Sequence, residues 1–318
     1  MDLLKLVNKK TSVFSDTEAS QGLANVVQHI DIATKHYENG KKGDDYLFTD
    51  VIYRTNQAFE GALKEAYRII KCENPEKIAP YKIEQQFSED DILKERVKDQ
   101  YKAYRQEWRN KSVHDYTLYF SEQEAFLAIV NILAFINILL DQMIQKRAYD
   151  KEYDELKTDI VIVQDLIVKN DIYMTLRNIL CSFKLPSGAI KNATELPETY
   201  EAEVIGGLEA YIKNIIPDIQ LHTEYPFFDI NGAILSRVDL FAVLGKEKVI
   251  IELKVSSGDP RRLVGSGINQ VLHYLNKSNI NKGILYIASQ NGVKMKSEIH
   301  SYKYGKVKRM ITVIMPDV

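Results

Sequence analysis

The stretch RVDLFAVLGKEKVIIELK, residues 237–254, decides the fold that we expect for the second half of the chain. Two β-forming runs flank a short Gly-Lys-Glu-Lys turn, which predicts an antiparallel hairpin. With the turn centred on residues 246 and 247, the register places Asp239 opposite Lys254. Because side chains alternate between the faces of a strand, Glu252 and Lys254 share one face, with Asp239 as their cross-strand neighbour. The sequence therefore predicts two carboxylates and an ammonium on one patch.

The remaining side chains of this hairpin are apolar on both faces. Strands of this kind are usually buried on both sides. Charged groups are rarely left in such a place without a partner or a function. We interpret the three charges as a functional site, and the alternative is a structural ion pair. Their apolar neighbours on the same face are Phe241, Val243 and Ile250.

The pattern Asp239, then Glu252-Leu253-Lys254, resembles the signature of the PD-(D/E)xK, or restriction-endonuclease-like, phosphodiesterase superfamily, with Val238 in place of the leading proline. This resemblance implies an α/β domain with a mixed central sheet. It also implies that Asp239 and Glu252 bind Mg²⁺ or Mn²⁺ and that Lys254 acts on the attacking water or the phosphate. Two carboxylates and a substrate phosphate suffice for Mg²⁺, which prefers oxygen ligands and keeps several waters. A lysine beside the metal can position water and offset developing charge.

A second pattern lies downstream of the hairpin. Residues 265–267, Gly-Ser-Gly, precede a helical pattern of apolar residues, and a further strand is expected at 283–288. On that helix Gln270 and Tyr274 lie four positions apart. A Q-x-x-x-Y pair after E-x-K resembles a feature of the RecB-like and Mrr-like branches of the superfamily, which implies that Gln270 and Tyr274 shape the catalytic cleft.

Many members of this superfamily also carry a glutamate on the helix before the first strand. Residues 199–216 fit that helix, and Glu201 falls beside its buried line. The resemblance implies that Glu201 is a third metal ligand, and Glu203 is the alternative. An ordinary glutamate in a first helical turn, where the helix dipole favours it, is the other interpretation. The buried line is formed by Val204, Leu208, Tyr211 and Ile215.

The first half of the chain has an almost wholly helical pattern, with helices expected at 19–38, 47–71, 91–108 and 121–146. Four helices of this length suit a bundle. Ser121 and Glu124 form a capping box at the start of the last one. Its apolar run, residues 125–140, is shorter than the roughly 20 residues of a membrane span. We therefore expect a buried bundle helix and no membrane association.

Between the third and fourth helices, Arg109-Asn110 is followed by His114. This arrangement resembles the R-x4-6-H motif of the HEPN superfamily, whose domains are four-helix bundles. The resemblance implies metal-independent RNA cleavage, in which the histidine transfers protons and the arginine clamps the phosphate. Many HEPN domains act only in dimerisation or docking, so that role is the first alternative. The second is that Arg109 and His114 cap helix ends.

The last helix of the first half carries more apolar surface than a bundle requires. Such a surplus indicates a second contact surface, and two-fold symmetry is the commonest way to cover one. We expect a homodimer through the helical half, with Arg109 and His114 near the axis. The alternative is that the α/β half of the same chain covers this surface. The surplus residues are Leu127, Val130, Leu133, Ile138 and Leu140.

A length of 318 residues suits two domains. We expect a HEPN-like helical domain at 1–150 and a nuclease domain at 151–318, with its core at about 199–318. The secondary-structure pattern is weakest in residues 151–198. There, residues 160–180 suggest a helix and residues 184–200 suggest a loop. The two cysteines, Cys72 and Cys181, lie far apart in sequence. They argue against disulfides and zinc and suit the cytoplasm.

The formal net charge of −2 does not by itself indicate a nucleic-acid-binding protein. Residues 294–309, however, contain six cations and one acid, with tyrosines interleaved, which suits the tracking of phosphates. A solvated surface hairpin is the alternative. Two arginines after the E-x-K strand are better placed to meet a phosphate near the metal. The candidate nucleic-acid contacts are Arg261, Arg262, Lys303, Lys306, Lys308 and Arg309.

Together, these patterns predict a metal-dependent nuclease acting on DNA or RNA. The combination of the two domain types is the one expected of prokaryotic, anti-phage defence systems, an inference by family analogy. In one alternative, the helical half is a metal-independent ribonuclease and the second half binds nucleic acid. In the other, both sites are inactive and the protein is a dimeric docking module.

Overall fold

A computed structural model shows a helical part followed by a part with a mixed six-stranded sheet, and this confirms the predicted helical-then-α/β layout. The chain divides into two compact units, Met1–Lys146 and Arg147–Val318. The structure describes residues 2–90, 92–110, 119–156, 166–185, 197–229, 231–256, 258–288, 294–304 and 307–317.

The helical unit contains two short helices that the sequence pattern did not predict, α1 and α4. Helix α4 begins with Pro80 in its first turn, a common helix-start signal that could have identified it. The predicted helix 91–108 begins only at Glu95 and ends in a π-helical turn. The elements are α1 Leu3–Thr11, a 3₁₀ turn Ser12–Phe14, α2 Ser20–Gly40, α3 Leu47–Lys71, α4 Pro80–Glu89, α5 Glu95–Tyr104, the π turn Arg105–Arg109 and α6 Glu122–Leu156.

Helix α6 starts where the capping box predicts. The Ser121 N–H donates to Glu124 Oε2 at 2.8 Å, and the Glu124 N–H donates back to Ser121 Oγ at 3.4 Å. The helix continues to Leu156 instead of ending at 146, because residues 147–156 contain neither glycine nor proline to stop it. In the described part of the chain, α6 is the one helix whose length and composition would allow it to cross a membrane. Most of its apolar window is buried, as in the core helix of a soluble protein.

The apolar surplus on α6 is smaller than the sequence suggested. Leu133 and Leu140 are buried in the chain itself, Val130 and Ile138 are half-buried, and Leu127 is exposed. The expectation that all five would lie on the surface is therefore wrong. The reason is that the buried residues of α6 cover more of its circumference than the single stripe expected of a bundle helix. The homodimer remains a prediction.

The second unit is built on a sheet with the strand order β1-β2-β3-β4-β6-β5. The pairs β3–β4 and β4–β6 are parallel, and the other three pairs are antiparallel. The elements are α7 Ile172–Ser182, α8 Pro197–Ile215, β1 Gln220–Phe228, β2 Ile234–Leu244, β3 Glu247–Val255, α9 Arg261–Ser278, β4 Lys282–Ala288, β5 Met295–Tyr304 and β6 Val307–Pro316.

Two boundaries in this unit differ from expectation. Residues 167–171 are not helical, because α7 begins only after Asp171, whose side chain caps it by accepting the Met174 N–H at 3.1 Å. The predicted loop 184–200 is wrong from residue 197 onward, where α8 begins with a proline in its first turn.

The sheet has a helical layer on each face, α7 and α8 on one side and α9 on the other. Two glycines allow α9 to lie close to β4. A Cβ on Gly267 would be 2.6 Å from Leu285, and one on Gly283 would be 2.5 Å from Val271. The Gly-Ser-Gly segment lies inside α9 and does not precede it, contrary to the prediction. A glycine at 267 is explained by its packing against Leu285, which leaves no room for a side chain.

Candidate active site

The β2–β3 hairpin closes with a two-residue turn. Leu244 pairs with Glu247, and Gly245 adopts a φ of 58°, which suits a tight hairpin turn. Continued one residue beyond the last ladder pair, this register places Asp239 opposite Glu252. The predicted pairing of Asp239 with Lys254 is therefore wrong by two residues. Because side chains repeat every two residues, the error leaves each side chain on its predicted face.

Three charged side chains meet on the α9 side of the sheet. Lys254 Nζ donates to Glu252 Oε1 at 2.6 Å, and Glu252 is only 1% exposed. Asp239 Oδ2 accepts the backbone N–H of Leu253 at 2.7 Å. Asp239 and Lys254 are half-buried and lie at the opening of the site. Two carboxylates and one ammonium thus occupy the patch that the sequence predicted.

The β1–β2 ladder is interrupted next to Asp239. In the register of these strands Glu224 is its partner, but the pair is skipped, and Glu224 adopts a left-handed φ of 51°. Such a conformation is strained for a residue other than glycine, and strained residues often lie at functional sites. Sequence analysis missed Glu224, since a glutamate in a strand gives no signal for this conformation.

The electrostatics of the carboxyl pair favour a bound proton or cation. Burial raises the pKa of Asp239 to about 7, and the neighbouring Glu252 contributes to the rise. Burial also raises the pKa of Glu252, although Lys254 opposes this. The two carboxyl groups are close enough to share a proton. When both are ionised, Glu252 Oε2 is buried with no hydrogen-bond donor among the described residues.

The ammonium of Lys254 remains charged in this setting. Burial disfavours its charged form, but the hydrogen bond and charge of Glu252, together with Asp239, outweigh that effect and raise the pKa of Lys254. Lys254 is therefore a cation beside the two acids Asp239 and Glu252.

Helix α9 brings the predicted Gln270 and Tyr274 to the site. Gln270 Nε2 donates to the Tyr274 hydroxyl at 2.6 Å. Burial raises the pKa of Tyr274, and the negative charges of Glu252 and Asp239 raise it further despite that hydrogen bond. A neutral phenol thus lies near the carboxyl pair.

Glu201 on α8 lies near enough for its charge to raise the pKa values of Glu252 and Lys254. This observation favours Glu201 over Glu203 as the helix-borne acid. Across the ranges that the structure describes, however, no three acidic, histidine or cysteine side chains form a group that could hold a metal. Glu201 is therefore not part of a preassembled set of three ligands.

Arg261 and Arg262 are the first two residues of α9, and not part of a loop as predicted. Both are exposed, and they lie at the end of the sheet where β3 finishes with Lys254 and Val255. Arg261 Nε is 2.9 Å from Asp259 Oδ1. Two cations are thus available beside the opening of the site.

The basic β5–β6 hairpin lies elsewhere on the sheet. Lys303 and Lys308 are exposed cross-strand partners at the opposite edge, on the face that carries α7 and α8. Arg309 is 4% exposed and donates from Nη1 to the Ile280 carbonyl at 2.6 Å. The prediction that Arg309 contacts phosphate is therefore wrong, because its guanidinium is used inside the protein. Lys306 lies outside the described residues.

The helical unit contains the other predicted motif. Arg109 closes the π turn, with Nη2 at 3.7 Å from Glu60 Oε1 and Nη1 donating to Asn110 Oδ1 at 3.4 Å. His114 lies outside the described residues. Glu60 also lines a pocket of about 240 Å³ between α2 and α3, which the sequence did not predict. The polar residues of this pocket are Asn25, His29, Gln57, Glu60, Lys64 and Glu65.

Five of the predicted site residues thus lie together on the α9 side of the sheet, namely Asp239, Glu252, Lys254, Gln270 and Tyr274.

Comparisons of the chain with protein families, with curated proteins and with solved structures find no match.

Proposed function

We propose that the second unit is a metal-dependent nuclease that hydrolyses phosphodiester bonds in DNA or RNA. The observation that carries the proposal is the Asp239–Glu252 carboxyl pair, beside which the described residues place one ammonium, that of Lys254. Uncompensated negative charge inside a protein is unfavourable unless a proton or a cation neutralises it. The resemblance to PD-(D/E)xK enzymes supports a divalent cation in this role.

The donor atoms suit Mg²⁺ or Mn²⁺. Both candidate ligands, Asp239 and Glu252, offer carboxylate oxygens, and Glu252 Oε2 has no donor from the described part of the chain. Mg²⁺ is commonly held by one or two carboxylates, together with waters and substrate phosphate. When bound, such an ion would lower the pKa of a coordinated water and neutralise charge on the phosphate.

The other side chains would orient the reaction. Lys254 Nζ is fixed by its hydrogen bond to Glu252, so it could position the attacking water or offset charge on the phosphate. The neutral Tyr274 phenol, held by Gln270, could donate to a phosphate oxygen. Arg261 and Arg262 lie outside the opening and would contact flanking phosphates.

The test is incubation of the full-length protein with plasmid DNA, single-stranded DNA and RNA, each with Mg²⁺ and with EDTA. Cleavage that requires the metal and is lost in Glu252→Gln supports the proposal. The matched control is Glu209→Gln, which removes a carboxylate paired with Lys213 on helix α8. Absence of metal-dependent cleavage of all three substrates would contradict the proposal.

A second candidate is a metal-independent ribonuclease in the helical unit. The observation in its favour is that Arg109 closes a π-helical turn and lies beside Glu60 at a polar pocket. Isolated π-helical turns are frequent at functional sites. RNA cleavage that persists in EDTA and is lost in Arg109→Ala would establish this candidate. The anti-phage role proposed from the family analogy applies to either activity.

The third candidate is a homodimeric docking module without catalysis. Exposed Phe126 and Leu127 at the start of α6 are the apolar residues that a dimer would cover there. Light scattering of the full-length protein measures the assembly directly. A monomer at all concentrations tested would exclude the homodimer.

A further inference from the structure

Four aromatic rings form a cluster on the α9 side of strands β1 and β2. Phe241 is its centre, with ring centroids at 4.7 Å from Tyr225, 5.4 Å from Phe227 and 6.3 Å from His222. Phe241 is buried, Tyr225 and Phe227 are half-buried, and His222 is exposed. The buried ring thus supports three others that face solvent.

Helix α9 covers the β1 edge of this face less than the middle of the sheet. Its main contacts are with β2, β3, β4 and β6, while β1 is the edge strand beyond them. The rings of Tyr225 and Phe227 are therefore only partly covered along this edge, and His222 is exposed.

The cluster adjoins the carboxyl pair. In the β1–β2 register, the position opposite Asp239 lies between His222 and Tyr225. Neighbouring strands are about 4.8 Å apart, so Asp239 lies one strand spacing from the β1 segment that carries His222 and Tyr225, and two residues from Phe241 on its own strand.

The cations of the site lie at the same end of the sheet as the outer rings. Strands β1 and β3 run in the same direction, because each is antiparallel to β2. Phe227 therefore lies at the end where β3 finishes with Lys254 and where α9 begins with Arg261 and Arg262. Rings for bases and cations for phosphates are thus side by side.

We propose that the cluster of His222, Tyr225, Phe227 and Phe241 is a stacking platform for unpaired bases, so that the substrate is single-stranded or locally unwound nucleic acid. The proposal rests on the proposed nuclease function for the position of the scissile phosphate. Aromatic side chains stack on bases of any sequence, and cations beside them follow the backbone. In an intact duplex the base faces are covered by their neighbours and cannot reach such a platform.

The test measures binding in the full-length Glu252→Gln background, which separates binding from cleavage. Fluorescence anisotropy would follow labelled single-stranded DNA, single-stranded RNA, duplex DNA and an abasic strand of the same length. We expect Tyr225→Leu and Phe227→Leu to weaken single-strand binding at least about fivefold, as loss of one stacked base predicts. The two leucine substitutions should not change the affinity for the abasic strand, which has no bases to stack. Tyr225→Phe, which retains the ring, should bind single strands as tightly as the Glu252→Gln parent.

Helix α6 provides a matched control. There Tyr149 and Tyr153 form a pair of stacked rings, with ring centroids 6.0 Å apart. Tyr153→Leu should leave affinity unchanged. If circular dichroism shows that Tyr225→Leu does not fold, the exposed His222→Ala replaces it, with the same expected loss.

Several outcomes would overturn the platform. They are equal affinity for abasic and intact strands, tighter binding of duplex than of single strands, and equal losses in Tyr153→Leu and Tyr225→Leu. Unchanged affinity for single strands in all the ring variants would also overturn the platform and would favour these rings as a contact surface for a protein partner. Ring-dependent binding without any hydrolysis by the wild type removes only the nuclease proposal. Hydrolysis without ring dependence removes only the platform.

Discussion

One lysine–carboxylate contact in each unit of the described chain has the same length, but the two differ in charge balance. In the helical unit, Lys10 Nζ lies 2.6 Å from Asp141 Oδ1, and Arg96 lies 3.6 Å from the other oxygen of that carboxylate. In the second unit, Lys254 Nζ lies 2.6 Å from Glu252 Oε1, with Asp239 as a second acid. Among the described residues named here, the first group has two cations for one anion, and the second has one cation for two anions, with the charge of Glu201 also acting on it.

The comparison shows that the distance between two charges does not reveal their role. The fully buried Lys10 also donates to the Asn137 carbonyl, so its contacts hold helices together. In the second group Glu252 is buried, Asp239 is half-buried at the opening, and the two acids outnumber Lys254. In the first group the cations outnumber the acid, so only the second group favours a further cation.

The largest expected effect is on cleavage by the acidic site. Asp239→Asn or Glu252→Gln should reduce metal-dependent hydrolysis by about 10³-fold or more, because a metal contributes several kcal/mol of transition-state stabilisation. Initial rates at saturating Mg²⁺ measure this. Lys10→Met should keep the wild-type rate per folded molecule. Wild-type cleavage by either acid variant would show that the two carboxylates are not the metal ligands.

The second effect concerns stability. Here the substitution in the Lys10–Asp141 pair should have the larger effect, and the one in the Lys254–Glu252 pair the smaller. Lys10→Met should lower the free energy of unfolding by about 3–5 kcal/mol, because it leaves Asp141 without its closest cation. Glu252→Gln should cause no loss. Urea denaturation measures the change caused by Lys10→Met. It is followed by the fluorescence of Trp108, which is the single tryptophan, lies in the helical unit and is 6% exposed. Urea denaturation followed by circular dichroism measures the effect of Glu252→Gln.

A double variant provides the control for that experiment. Lys10→Met combined with Asp141→Leu removes both charges and should recover much of the lost stability. Equal destabilisation by Lys10→Met and Glu252→Gln would contradict the distinction between the two pairs.

A smaller effect is expected for the lysine of the acidic site. Lys254→Ala should lower turnover by about 10²-fold through the loss of a group that orients water or offsets charge. Binding of Mg²⁺ and of single-stranded nucleic acid should change little, since both carboxylates remain. Parallel measurements of binding and single-turnover rate separate the two. Loss of binding with an unchanged rate for bound substrate would make Lys254 a structural partner.

The smallest expected effect is the pH dependence of stability. Because folding raises the pKa of Asp239 to about 7, the folded protein holds a proton between about pH 4 and 7 that the unfolded chain releases. The stability of the unit should therefore fall as pH rises through this range. Asp239→Asn retains an acceptor for the Leu253 N–H. It should be more stable than wild type at pH 8 by on the order of 1 kcal/mol, or about 2–4 °C.

Thermal unfolding of wild type and Asp239→Asn from pH 4 to pH 8 tests this prediction. The advantage of the variant should disappear near pH 4, where the carboxyl group is protonated in both states. Added Mg²⁺ should stabilise wild type at pH 8 and leave the variant unchanged. A constant difference across the pH range would mean that Asp239 does not titrate as its surroundings indicate.

Local patterns predicted several features correctly. The common face of Glu252 and Lys254 follows from their spacing of two in a strand and holds in any register. The capping box at Ser121 gave the start of α6. The buried line of α8 was also correct for Val204, Leu208 and Ile215, and Tyr211 is half-buried.

The errors arose where two local solutions fit equally well. A four-residue and a two-residue turn both suit Gly-Lys-Glu-Lys, and the choice set the register of Asp239. Glycine usually weakens a helix, which argued against Gly267 inside α9. Only its contact with Leu285 of β4 explains its place. The burial of Arg309 likewise depends on the Ile280 carbonyl, a group far away in sequence.

The sequence by itself determined side-chain alternation, helix caps and the residue types of the acidic site, because these depend on neighbours within a few positions. The tertiary structure alone decided that Asp239 lies opposite Glu252 and not Lys254, that Glu224 is strained beside them and that the rings of His222 and Tyr225 flank this position on β1. It also decided that Lys10 is buried against Asp141. Burial and the resulting strength of charge interactions come from residues distant in sequence, so no local pattern could predict them.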